Sequence, residues 1–145
     1  MWIAASCCLA PTRSEPRMTL PTAGAVVYAK DLQKTSAFYE HAIGLTVAQR
    51  KPDYTQLRCE GFDLVVHAIP ASIAATFEIA DPPERREDSA IKLSLPVASI
   101  AVARAAAPRH GGKIDAPERE WEFGGMRLCD GHDPEGNVIQ VRQAA

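Results

Sequence analysis

The feature that most restricts this chain is an internal duplication. Residues 24–45 read GAVVYAKDLQKTSAFYEHAIGL and residues 92–113 read KLSLPVASIAVARAAAPRHGGK. Laid side by side, Val27 falls on Leu95, Leu32 on Ile100, Ala37 on Ala105 and Gly44 on Gly112. Further on, Cys59-Glu60-Gly61-Phe62-Asp63 echoes Cys129-Asp130-Gly131-His132-Asp133, and Leu64-Val65-Val66-His67 then falls on Ile139-Gln140-Val141-Arg142. Single matches are weak. The shared order of strand, helix, glycine, strand, turn and strand carries the weight, because a repeated unit has to be packed against its own copy.

Each copy reads as βαβββ. In the first, Ala25–Lys30 is a β-rich run, and Asp31 can accept from the free amides of a helix over about 32–42. Leu32, Ala37, Phe38 and Ile43 give that helix an apolar stripe, and Gly44 suits the left-handed position beyond its end. Strands follow near 45–50, 54–59 and 62–69, divided by Pro52-Asp53 and Glu60-Gly61. In the second copy a strand at 90–96 leads to a helix near 98–107 that Pro108 shortens. Strands near 113–116, 125–130 and 137–142 complete it, and Trp121 falls in the loop of their hairpin, either at a plain tip or on a lid. Residues 70–89, with Asp81-Pro82-Pro83 and five charges over Glu84–Asp88, read as the linker.

The modules therefore span about 22–69 and 90–143 within a domain over 22–143. Residues 1–21 read as an extension outside the core, with Met18 as an alternative start. Their apolar run precedes the positive charge instead of following it, so they do not have the anatomy of a secretory signal. No run of 18 apolar residues exists, which leaves no membrane-spanning helix. Sixteen Lys and Arg against eighteen Asp and Glu give a net charge of −2, which argues against nucleic acid or an anionic membrane as partner. Four cysteines amid 46% hydrophobic residues do not form a disulfide scaffold. The expectation is a reduced, cytoplasmic protein. Cys59 and Cys129 read as small buried hydrophobes and His41 and His110 as surface residues; Ser14 and Ser36 have no histidine nearby to make a triad.

Strand parity then separates a wall from a pocket. Side chains alternate faces along a strand, and in Ile91-Lys92-Leu93-Ser94-Leu95 the odd positions are apolar and the even ones polar. The repeat extends that face to Ala25, Val27, Ala29, Leu64, Val66, Ile139 and Val141, against which the helices should pack. The opposite face collects Gly24, Val26, Tyr28, Asp63, Val65, His67, Lys92, Ser94, Val138, Gln140 and Arg142. That face is either the solvated side of a plain sheet or a cavity made by two curved units.

The segments AVVYAKDLQKTSAFYEHAIGL and DGHDPEGNVIQVR resemble the vicinal oxygen chelate superfamily, which includes glyoxalase I, bleomycin-resistance proteins and extradiol dioxygenases. The resemblance covers about residues 22–143. It implies an α+β fold of two βαβββ modules in a curved mixed sheet, with helices on its convex face and a U-shaped cavity, and it implies a homodimer. In the enzymes of the superfamily a divalent metal is held there by His, Gln or Glu. Carried over residue by residue, those ligand positions fall on Gly24, Val65, Lys92 and Gln140. One usable donor is too few for a tight divalent site, so no cofactor is expected; a distorted site would need His67 with Gln140. The expected function is binding of a small anionic or oxygen-rich molecule through Tyr28, His67, Lys92, Gln140, Arg142 and Trp121. The alternative is a lyase, isomerase or dioxygenase with a reduced metal site, or with His67 or Lys92 as catalytic base.

Overall fold

The structure, a computed structural model, describes residues 20–145. The extension over residues 1–21, with Met18, Cys7, Cys8 and Ser14, lies almost wholly outside the described residues. The first module runs β1 (Gly24–Ala29), α1 (Leu32–Ala37), β2 (Thr46–Arg50), β3 (Tyr54–Cys59) and β4 (Phe62–Ala68). Asp31 caps α1, its carboxylate accepting from the Lys34 amide. The helix continues as a π-helical turn over Phe38–Ile43 and stops at Gly44, whose φ of 89° is the left-handed conformation that a side chain would oppose.

The linker contains one short helix, α2 (Ala71–Ala74), where the sequence suggested no regular element. The second module runs β5 (Leu93–Pro96), α3 (Ile100–Ala106), β6 (Lys113–Ile114), β7 (Trp121–Phe123), β8 (Met126–His132) and β9 (Val138–Ala144). Ser99 caps α3 by accepting from the Val102 amide. Pro108 converts the helix end to a 3-10 turn over Ala107–His110, closed by Gly111 at φ 78°. The left-handed stop thus falls on Gly111, one residue before the Gly112 that the repeat pairs with Gly44. Gly112 is needed for another reason: a Cβ there would sit 2.2 Å from the Phe38 ring.

Each sheet is mixed. β1 and β4 pair in parallel, as do β5 and β9, and the remaining pairs are antiparallel. The strand orders are β1-β4-β3-β2 and β5-β9-β8-β6, with β7 also paired to β8. The α+β class is that expected, and the first module has the βαβββ order; the second carries one strand more, because Trp121–Phe123, expected as hairpin loop, pairs with β8 as β7. The strands form two sheets, with β1 and β5 as free edges at the seam between the modules, where the sequence reading joined them in one.

Parity holds across both modules. Ala29, Leu64, Val66, Leu95, Ile139 and Val141 are buried, and Val27 and Leu93 pack half-buried against the same cluster. The helices of the two modules pack on one another, so Phe38 and Tyr39 share one core with Ile100, Ala103 and Ile114. Ile91 is the exception. It lies before β5 and is 79% exposed, because the strand starts two residues later than its alternation suggests.

The modules are locked together by the Asp133-Pro134-Glu135-Gly136-Asn137 turn. The Asp133 carboxylate accepts from the Glu135 and Asn137 amides, from Asn137 Nδ2 and from the Tyr39 hydroxyl. Glu135 accepts from the amides of Lys30 and Asp31 and from Thr35 Oγ1, so a turn of the second module caps the first helix of the first. No described helix is long and apolar enough to cross a membrane.

Candidate functional site

The open faces of the two sheets differ. In the first module, register places Tyr28, His67 and Tyr54 in one row across β1, β4 and β3. Tyr28 and Tyr54 flank the His67 ring at centroid distances of 5.9 and 6.2 Å. His67 Nδ1 is bonded to the Ala68 carbonyl, and Nε2 lies 4.0 Å from Asp53. The next row is Val26, Val65 and Gln56, and the last is Gly24, Asp63 and Arg58, with Arg58 paired to Asp63 at 2.9 Å.

In the second module the open face is a charge network. Lys92 Nζ donates to both Asp130 oxygens, at 2.9 and 2.8 Å, and stands 5.8 Å from the Trp121 ring. Gln140 Oε1 accepts from Ser94 Oγ at 2.8 Å. Arg85, from the linker, makes two bonds to the buried Asp115. Trp121 starts β7, and the hairpin tip itself is Gly124-Gly125, both with positive φ. A polar depression of about 400 Å³ lies here, lined by Arg85, Glu87, Asp115, Arg119, Trp121 and Asp130. Its lining offers charge but little that is unpaired.

The expected binding residues thus divide. Tyr28 and His67 stand together on the first sheet, whereas Lys92, Trp121 and Gln140 belong to the second. Arg142, on β9, lies in register with Leu128. Lys92, expected as a free ammonium, is an ion-pair partner.

A larger opening lies at the seam. A cleft of about 470 Å³ runs between β1 and the start of β5 and β9, over the buried Tyr39. Ala25, Val27, Leu93 and Ile139 give it apolar walls, and Val26, Tyr28 and Ile91 are exposed at it. Its polar groups are Arg86, Ser89 and Asn137. The Ser89 hydroxyl donates to the Ile91 carbonyl and the Asn137 amide to Asp133. Arg86 is held at its backbone by the Gly136 carbonyl, and its guanidinium has no ion pair among the described residues. Of the six expected binding residues Tyr28 lines this cleft; His67, Lys92, Gln140, Arg142 and Trp121 do not. Arg86 and Ser89 were hidden because the charge run Glu84–Asp88 carries the composition of a solvated linker.

The donor chemistry does not fit the metal that the resemblance implies. A side chain at Gly24 would bring its Cβ within 2.6 Å of the Asp63 carbonyl oxygen, so that ligand position is closed by backbone. Val65 has no donor, Lys92 is an ammonium bound to Asp130, and the Gln140 oxygen already accepts from Ser94. His67 and Gln140, the pair that could have rescued a site, stand on different sheets. Among the described residues no three His, Cys, Asp or Glu side chains group as a metal site.

Thiol chemistry is not favoured either. Burial pushes the Cys129 thiol up from its ordinary value, and it donates to the Asp115 carbonyl at 3.5 Å. Burial likewise raises Cys59, against a smaller opposing pull from Arg142. Both stay protonated at neutral pH and act as packing.

The sequence pattern of the glyoxalase-like domain matches residues 24–142. Among solved structures the chain is similar to a glyoxalase-related enzyme from Fulvimarina pelagi, at 16% identity over 86% of this chain and 88% of that one, with a TM-score of 0.60. It is similar to an antibiotic-binding protein from Streptomyces sp. CB03234, at 20% identity over 90% and 100%, with a TM-score of 0.57. It is also similar to a bleomycin resistance determinant encoded on transposon Tn5, at 20% identity over 86% and 98%, with a TM-score of 0.54. At these identities the likeness is one of fold. No curated protein matches the chain.

Proposed function

Because this chain belongs to the glyoxalase-like domain family, we propose that it binds a small molecule with an apolar body and an anionic or oxygen-rich group, without a divalent metal. The observation that carries this is the seam cleft. Its volume of about 470 Å³ is within the range of small-molecule sites, and it joins apolar walls to a few convergent polar groups. Arg86 is the cation with donors to spare, since a guanidinium offers five N–H groups and takes a carboxylate in two parallel bonds. Relatives in fold include an antibiotic-binding protein and a resistance determinant, which is the same kind of reading.

Turnover is the weaker alternative. It needs a base at the ligand, and Lys92 is engaged with both Asp130 oxygens while neither Lys92 nor His67 lines the cleft. The homodimer implied by the family is part of the proposal, with a doubled mass in light scattering as its check.

The test is a thermal-shift screen of apolar-bodied carboxylates and their neutral amides against the parent protein and Arg86→Met, with and without zinc. We expect carboxylates to raise the melting temperature of the parent, Arg86→Met to lose most of that rise, and zinc to add nothing. Equal stabilisation of both proteins removes Arg86 from the site. A zinc-dependent rise overturns the metal-free reading.

A further inference from the structure

The seam cleft is bounded by a strand edge as well as by side chains. Ala25, Val26, Val27 and Tyr28 all line it. Consecutive residues alternate faces along a strand, so a cavity that meets four in a row meets the edge of the strand. β1 has β4 on one side only.

The phase of the ladder fixes which backbone groups are free. The Asp63 amide donates to the Ala23 carbonyl, and at the other end the Ile69 amide donates to the Ala29 carbonyl. In a parallel pair alternate residues bond to the partner strand. With those two bonds as anchors, Ala25, Val27 and Ala29 turn their backbone groups to β4. Val26 and Tyr28 turn theirs the other way, to the seam. The next residue of that phase is Lys30, and its amide donates to Glu135 Oε1 at 2.9 Å. The chain itself thus shows that this edge faces the second module and takes an acceptor from across the seam. Two residues earlier, Tyr28 and then Val26 present an amide and a carbonyl with no partner among the described residues, in the cleft that Arg86 also lines.

We propose that the ligand of the seam cleft is a short peptide-like molecule with a terminal carboxylate, which adds to the edge of β1. Its amides pair with the backbone of Val26 and Tyr28, its side chains rest on the apolar walls, and its carboxylate meets Arg86. Strand addition supplies main-chain hydrogen bonds as affinity and leaves the alternate side chains to set specificity. The free groups of Val26 and Tyr28 are about 7 Å apart along the strand, the spacing of alternate residues in an extended peptide. This proposal rests on the seam cleft being the binding site.

The test is amide hydrogen exchange by NMR on the full chain, with acetyl-Ala-Val-Ala as probe, bearing either a free C-terminal carboxylate or an amide. In the free protein Val26 and Tyr28 should exchange fast while Val27 is protected. Saturation with the carboxylate probe should slow Val26 and Tyr28 at least tenfold, and the amide probe should bind at least tenfold more weakly. Val26→Pro removes one edge donor where proline is tolerated; it should weaken the probe severalfold while its circular dichroism matches the parent. Shifts at Asn137 and Ile139 without slowing at Val26 and Tyr28 would overturn strand addition and leave the cleft as the site. No shift at any cleft residue, with probe at millimolar concentration, would overturn strand addition; if the small carboxylates also stabilise Arg86→Met as much as the parent, the cleft falls as well. Slowing that grows with protein concentration in the absence of probe would assign the edge to a second copy and overturn the proposal.

Discussion

The two modules share one pattern on the face they bury and little on the face they leave open. Towards the helices, Leu64 and Val66 in the first are matched by Ile139 and Val141 in the second, all buried. On the open side the first carries the row Tyr28, His67, Tyr54, whereas the second carries Lys92–Asp130 and Arg85–Asp115. The buried face is constrained by volume in a shared core, where one lost methylene is felt. The open face is constrained only by what it meets. Exchange between the modules is unequal too. The second lends Asp133 and Glu135 to the first, while the corresponding turn of the first is the short Glu60-Gly61, with both residues exposed.

The sharpest test of the shared core is to cut it from either side. Leu64→Ala in the first module and Leu95→Ala in the second should each cost about 2–5 kcal/mol, through lost transfer energy and the cavity left behind. Leu93→Ala should cost less, because Leu93 is only half-buried. In urea denaturation both large losses should appear as shifts of a single transition. Two separate transitions would show that the modules fold independently and would break the comparison at its base.

Next in size is the inter-module cap. Glu135 is 5% exposed and satisfies three donors, one in the first helix and one in each of the two residues before it. Glu135→Ala should cost about 1–3 kcal/mol, the range for orphaned buried donors and lost caps. Glu60→Ala in the equivalent turn should be within about 0.5 kcal/mol of the parent, as surface changes usually are. Equal costs would mean that the turn of the second module is not the lock.

A smaller effect comes from the other acid of that turn, Asp133, and depends on pH. Burial raises the Asp133 carboxyl above its usual range, and it outweighs the bonds from Asn137, Glu135 and Tyr39 that pull it down. The folded state therefore keeps the proton to a higher pH than the unfolded chain does. The stability tied to that proton is present below the unfolded pKa and is lost as pH rises through the raised one, by at most about 1.4 kcal/mol per pH unit. Asp133→Asn cannot ionise, so its urea midpoint should fall less steeply above pH 4 than that of the parent. Parallel slopes would show that Asp133 is ionised in the folded protein throughout.

Much of this was legible in the sequence. The repeat gave the element order, and Asp31 and Gly44 marked the two ends of the first helix. The parity of Ile91 to Leu95 assigned the buried faces correctly except at Ile91 itself. Such features are local: a cap needs neighbouring amides, and parity needs only the pleat. The site was harder to see because it depends on what meets across the seam. Gly24 and Val65 could be read as poor ligands from residue type alone, but that Asp130 holds Lys92 depends on β8 lying beside β9. The linker looked like a spacer, yet Arg85 latches the second module and Arg86 reaches the cleft.

The smallest expected effect bears on the residue that the sequence made most prominent. Lys92 stands where the resemblance puts a metal ligand, and as a free ammonium it would be the natural holder of an anion. Its side chain is 40% exposed and its partner Asp130 27%, so the pair is wet and its attraction screened. Lys92→Met should therefore cost no more than about 1 kcal/mol in stability. It leaves Asp130 as an uncompensated carboxylate on the open face of the second module, which should disfavour an anion there still further. If the seam is the site, carboxylate binding in the thermal-shift screen should survive Lys92→Met and be lost in Arg86→Met. The reverse outcome would move the ligand onto the open face of the second sheet. Asp130 would then be a placeholder that the ligand displaces, and the charge network would be the functional half of the duplication.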